Sequence, residues 1–118
     1  MSKEQRNRLD AILRQGRLDT AADVASVRAA LNALMAQTPV PADVQQSTAE
    51  IGGVPGIEVT IAGHESENVM LYFHGGVYVI GAAAHTVPLV GEIVRRTGVK
   101  AITLDYRLAP EHPYPAAV

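Results

Sequence analysis

The order of apolar and polar positions splits the chain into a helical start and a strand-rich remainder. Residues 3–14 place Leu9, Ile12 and Leu13 on one side of a predicted short helix, with Gly16 as its stop. Val24, Val27, Leu31, Leu34 and Met35 recur at helical spacing and predict a second helix, with Asp19 or Thr20 as its cap. Leu34 and Met35 read as packing residues of that helix. Thr38–Pro39–Val40–Pro41 ends it, because proline lacks the N–H a helix needs and pushes its predecessor toward extended geometry.

A strand pair is expected next. Val44 to Ile51 is weakly patterned, and Gly52–Gly53–Val54–Pro55–Gly56 has turn composition. Ile57–Glu58–Val59–Thr60–Ile61 alternates and predicts a strand buried on one face. Beyond a polar turn from Gly63 to Asn68, Val69–Phe73 is a continuous apolar run, the pattern of a strand buried on both faces. Gly81 to His85 is expected to be a loop. Thr86 to Thr97 predicts a helix with Pro88 in its first turn, Leu89, Val90, Ile93 and Val94 inward, and Gly98 past its end. Val99 to Leu104 is a second buried-type strand. The fold class is therefore α/β: two helices, an antiparallel strand pair, then strand–helix–strand with a right-handed crossover into a mainly parallel sheet.

Composition narrows the partners. At 118 residues the chain is one domain or part of one. A net charge of −2 gives no electrostatic reason to expect nucleic acid or an anionic membrane. The absence of cysteine excludes disulfides, zinc–thiolate sites and thiol nucleophiles from this chain, and fits a cytoplasmic location. Ser2–Asp10 is polar and charged, so no secretory apolar region is expected there. The longest apolar stretch, Val69 to Ala84, is interrupted by His74 and three glycines and is too short and polar for a membrane span. His64, His85 and His112 show no metal-ligand spacing with Asp or Glu and read as surface or loop residues.

The chemistry concentrates where a buried-type strand runs into glycine. His74–Gly75–Gly76–Val77 follows Phe73 directly. Ligand chemistry in open α/β sheets gathers at the carboxyl ends of strands. Glycines there let a substrate approach the main chain, and converging N–H groups can stabilise the oxygen of a tetrahedral acyl-transfer intermediate. A plain glycine turn between strand and helix accounts for the same residues. Phosphate binding fits less well. No G-x-G-x-x-G is present, and Ala82 and Ala83 stand where a P-loop spacing from Gly76 and Gly81 needs Lys and Ser/Thr.

Asp105–Tyr106–Arg107–Leu108–Ala109–Pro110–Glu111–His112–Pro113–Tyr114–Pro115–Ala116–Ala117 follows the next strand. With these thirteen residues in place the chain resembles the hormone-sensitive-lipase family of α/β-hydrolases, bacterial esterases with an HGGG-type loop and a D-Y-R-L-A-P-E-x-P-F/Y-P-A segment one strand later. The match by motif and strand order covers residues 44–118, and the two N-terminal helices match the family's helical cap in kind. The resemblance implies a helical cap region over residues 1–41 and the first part of the hydrolase core over 42–118. It implies that the main-chain N–H groups of Gly76 and Val77 are oxyanion donors, that Gly75 shapes the approach, and that His74 positions the loop by bonding backbone. Val77 replaces the family's third glycine; it keeps a donor, narrows the site, and is comfortable only at negative φ. The charged residues Asp105, Arg107 and Glu111, with Tyr106, are implied to form a carboxylate–guanidinium framework that orders the loop.

Such an enzyme also needs a serine on a G-x-S-x-G elbow, then an acid, then a histidine. Ser2, Ser26, Ser47 and Ser66 all precede the glycine loop and none has that setting. The resemblance places the triad beyond Val118. It makes a C-terminal remainder of the same protein the expected partner, beside a small ester substrate, and it allows a homodimer. It implies no cofactor. It further implies that Val69–Phe73, without the nucleophile strand beside it, presents an unpaired apolar edge. Two other readings stay open on the sequence: a non-catalytic ligand-binding protein on the same scaffold, and an inactive truncation fragment.

Overall fold

The computed structural model describes residues 2–15, 19 and 21–118. Its elements run α1 (Lys3–Gln15), α2 (Val24–Met35), β1 (Val44–Ile51), β2 (Val54–Ile61), β3 (Val69–Phe73), α3 (Ala83–Thr97) and β4 (Lys100–Leu104). The strands form one sheet in the order β1-β2-β4-β3. β2 pairs antiparallel with β1 and with β4, while β3 and β4 run parallel, joined by α3.

Both N-terminal helices form where helical spacing predicts them. Leu9, Ile12 and Leu13 of α1 are nevertheless exposed. Gly16 and Thr20, expected as helix stop and helix cap, lie outside the described residues. The cap of α2 is not Asp19 but Asp23. Its carboxylate accepts the Ser26 N–H at 3.0 Å and the Ser26 hydroxyl at 2.6 Å. Asp19 instead accepts the Ala21 N–H in the preceding turn.

The β1–β2 hairpin turns on Gly52 and Gly53 alone, both at positive φ, which suffices for a two-residue connection. Val54, Pro55 and Gly56 therefore belong to β2 rather than to the turn. Pro55 lies one residue past the last β2–β4 pair, Gly56 with Leu104, and its carbonyl accepts the Asp105 N–H at 2.8 Å.

α3 starts earlier than its sequence announces, at Ala83, so Pro88 lies inside the helix. Ala82 supplies no side-chain cap; the carboxylate of Asp105, just past β4, accepts the Ala83 N–H at 2.7 Å. One of the orphan donors of the helix start is thus satisfied from 22 residues away. The buried stripe runs through Ala83, Val87, Val90, Gly91 and Val94, and Leu89 points outward. A Cβ on Gly91 would sit 2.8 Å from Val44 Cγ2, so the helix lies tight on β1. Gly98 takes the left-handed position that ends α3, donating to Val94 O.

The core joins Val87, Val90 and Val94 of α3 to Val59 of β2 and Ala101 of β4, with Met70 and Tyr72 packed against it. That leaves the alternate residues of β3 uncovered. Val69, Leu71 and Phe73 are exposed, and β3 forms an edge of the described sheet. β3 is therefore buried on one face, not two, because α3 covers only the side carrying Met70 and Tyr72. No described helix is long and apolar enough to cross a membrane.

Candidate active site

β3 and β4 are parallel neighbours, so the residues leaving their carboxyl ends meet. His74, one residue past β3, is 5% exposed. Tyr106, two past β4, stacks on it with ring centroids 4.3 Å apart and planes 17° from parallel. The Tyr106 hydroxyl donates to the His74 carbonyl and lies 3.3 Å from His74 Nδ1. Burial, and then the neighbouring Tyr78 phenol, push the Tyr106 hydroxyl to a higher pKa. His74 Nδ1 faces the Gly75 carbonyl at 2.8 Å. A carbonyl only accepts, so the imidazole proton sits on Nδ1. Nε2 is buried with no protein partner among the described residues.

Beyond His74 the chain folds into a tight turn. The N–H groups of Val79 and Ile80 both donate to the Gly76 carbonyl, at 2.9 and 3.0 Å. Gly76 has φ 135°, and a Cβ there would lie 1.9 Å from the Ile80 carbonyl oxygen, so no other residue fits. A Cβ on Gly75 would meet nothing within 4 Å. Val77 and Tyr78 have φ 50° and 62°. Val77 thus does not take the negative φ at which it would be comfortable: a β-branched residue sits in the left-handed region, at a cost of about 1–2 kcal/mol. Tertiary hydrogen bonds hold it there. Tyr78 O accepts the Ala109 N–H and Val79 O accepts Arg28 Nε, both at 2.8 Å.

The amides of Gly76 and Val77 donate to no protein acceptor among the described residues. Both residues line a cavity of about 420 Å³ together with Phe73, His74, Tyr78 and Tyr106. Val77 is 81% exposed and stands at its mouth.

The charged segment after β4 is built differently from the sequence expectation. Glu111 does not pair with Arg107. It takes the guanidinium of Arg28, from α2, through both carboxylate oxygens at 2.7 and 2.9 Å. That fork holds the Glu111 carboxyl down at about 2. Arg107 instead donates to the Ala116 carbonyl, and Asp105 caps α3. His64 and His112 are exposed, but His85 is neither a loop nor a free surface residue. It lies in the first turn of α3 with Nε2 at 2.8 Å from Asn32 Oδ1. Burial first, and then the proximity of the His74 imidazole, lower its pKa. Among the described residues no group of three or more His, Cys, Asp or Glu side chains is placed to hold a metal ion.

Sequence reasoning missed Asp23, Arg28 and Asn32. Asp23 had a local signal, a carboxylate directly before Val24 with Ser26 three residues on. Arg28 and Asn32 are polar residues one helical turn apart within the otherwise largely apolar α2, a weaker sign of a face with partners.

Comparison with known proteins is consistent in both sequence and shape. Residues 70–118 match a family model described as the alpha/beta hydrolase fold. An esterase of Acinetobacter venetianus is 32% identical over 93 residues, 79% of this chain and 30% of that protein. Carboxylic ester hydrolase LipN of Mycobacterium tuberculosis is 30% identical over 101 residues, 81% of this chain and 27% of that protein. A crystal structure of an esterase from the bacterial hormone-sensitive lipase family superposes with a TM-score of 0.87 at 29% identity, covering 99% of this chain and 39% of that one. A hormone-sensitive lipase from a metagenome library gives 0.83 at 31% identity, covering 95% and 38%. The chain thus spans well under half the length of the proteins it matches.

Proposed function

Because the chain belongs to the hormone-sensitive-lipase family of α/β-hydrolases, we propose that it supplies the oxyanion site of a serine carboxylic-ester hydrolase. The observation that carries this is the pair of unpartnered amides at Gly76 and Val77, lining a cavity at the carboxyl end of β3. Residues 1–41 act as a helical cap and 42–118 as the opening part of the hydrolase core. The serine, acid and histidine come from the remainder of the same polypeptide, and the setting is cytoplasmic.

In this reading a small ester places its carbonyl oxygen between the two amides. Attack by the serine hydroxyl opens the C=O bond and puts negative charge on that oxygen. The serine's hydroxyl proton passes to the histidine and then to the departing alkoxide, as the C=O bond re-forms and the ester C–O bond breaks. Water repeats the sequence on the acyl-enzyme and releases the acid. The amides act because they are already in place when charge develops; losing one such donor costs about 3–4 kcal/mol of barrier. His74 and Tyr106 position the loop: the tyrosine hydroxyl occupies the His74 carbonyl, and the imidazole occupies that of Gly75. Both carbonyls are thereby engaged away from the substrate oxygen they would repel. The Val77 side chain, standing where the family pattern has a third glycine, favours short acyl and alcohol groups. The reaction needs neither metal nor organic cofactor.

The test is p-nitrophenyl acetate hydrolysis by the complete protein, with a fluorophosphonate probe in parallel. Turnover with labelling of one serine supports the proposal. A protein that binds esters but neither turns over nor is labelled is a binding member of the fold instead.

A further inference from the structure

We propose that Arg28 is a positioning residue for ester cleavage: its guanidinium clamps the left-handed turn at Val77 and Tyr78 and so fixes where the Gly76 and Val77 amides aim. This rests on the reading of that turn as an oxyanion site. Residues in sparsely populated backbone regions persist only when their surroundings over-determine them. Here two consecutive non-glycine residues are held at positive φ on an exposed turn. The bond from Ala109 N–H to Tyr78 O pins the turn from the β4 side. The bond from Arg28 Nε to Val79 O pins it from α2, directly after the strained pair. The same guanidinium donates from Nη2 to Ala109 O at 2.8 Å, fixing the residue whose N–H holds Tyr78. Glu111 then takes the two Nη groups as a fork, which locks the guanidinium plane.

One side chain therefore touches both anchors of the turn. The link is also a mechanical one. Arg28 is on α2, so a shift of that helix is felt at Val79 O and at Ala109. A lysine keeps the charge but gathers its three donors on one nitrogen, and it cannot hold two carbonyls and a carboxylate in one plane.

The test compares Arg28→Lys with wild type in the complete protein, alone and with Val77→Gly. Arg28→Lys is expected to lower kcat by about 10- to 100-fold with KM within about threefold, as for a misplacement of an otherwise intact site. Glycine adopts positive φ freely, so in the Val77→Gly background the further loss from Arg28→Lys should shrink to about threefold or less. A purely structural arginine would lose as much in either background, and that result overturns the proposal, as does an unchanged kcat. Amide exchange gives a readout that needs no turnover. Val79, Ile80 and Ala109, whose N–H groups close the turn, should exchange about tenfold faster in Arg28→Lys, with Ala101 and Thr103 of β4 unchanged. If the wild-type protein cleaves no ester, the oxyanion reading fails, and exchange alone decides the clamp: faster supports it, unchanged overturns it. Should Arg28→Lys not fold, Glu111→Gln loosens the fork while leaving Arg28 Nε in place, and the same two readouts apply with smaller changes.

Discussion

The exits from β3 and β4 lie side by side and are made in opposite ways. After β3 the chain offers main chain: two glycines, free amides, a turn at left-handed angles and an exposed Val77. After β4 it offers side chains and bonded backbone. Asp105 caps α3, Tyr106 covers His74, Ala109 holds Tyr78, and Glu111 fixes Arg28. The first exit could not keep its shape alone, because a β-branched residue at positive φ costs free energy that local sequence does not return. The second exit supplies what the first lacks. The shape of this main-chain turn is thus a property of two neighbouring strand ends rather than of one glycine motif.

The sharpest way to break this contrast is within the first exit itself. Gly76→Ala forces a methyl group onto the Ile80 carbonyl and must open the turn. We expect kcat/KM of the complete protein to fall by about 100-fold or more. Gly75→Ala, with open space around its Cβ, should cost no more than about tenfold on the smallest esters, the low end of what one added carbon is worth in a pocket. Equal losses at the two positions would mean that the turn is not what matters.

Tyr106→Phe tests the support from the second exit. It strips the donor from the His74 carbonyl and should cost about 1–3 kcal/mol in denaturant unfolding, the range for a buried acceptor left unpaired. An unchanged midpoint would show that water replaces the hydroxyl freely.

Val77→Gly has a smaller and unusual sign. Relief of left-handed strain returns about 1–2 kcal/mol, against about 0.5–1 kcal/mol of added chain entropy. A core-neutral glycine substitution should therefore stabilise slightly, and it should widen the range of esters accepted. Destabilisation would mean that Val77 packs in a way its exposure does not suggest.

The mildest test is acid. The Glu111 carboxyl titrates at about 2 when folded, against 4.5 for the free group. Between those values the unfolded chain binds the extra proton, so stability falls as pH drops through that window and is fully present above it. Glu111→Gln should flatten unfolding midpoints over that range while wild type declines.

Much of this was legible in sequence because its causes are local. His74–Gly75–Gly76 and Asp105–Ala117 are runs of consecutive residues; helical spacing placed the three helices, alternation placed β2, and buried-type apolar runs placed β3 and β4, while β1 was only weakly patterned. What was not legible depends on distance. α3 begins at Ala83 because its cap is Asp105, and no window around Ala82 contains that carboxylate. Arg28 meets Glu111 across 83 positions, so the nearer Arg107 looked the natural partner. The apolar run of β3 signals burial on both faces, but exposure depends on what packs there, and α3 reaches only one side. Val77 reads as a β-former; at its positive φ the next two carbonyls, of Tyr78 and Val79, accept bonds from Ala109 and Arg28, donors that the local sequence does not contain.

The most direct test is a crystal structure of the complete protein inactivated by a p-nitrophenyl alkylphosphonate, whose phosphonyl oxygen stands where the ester's oxyanion forms. The account predicts that oxygen within about 3 Å of both Gly76 N and Val77 N. A phosphonyl oxygen held by other donors, with those two amides turned away, would contradict it.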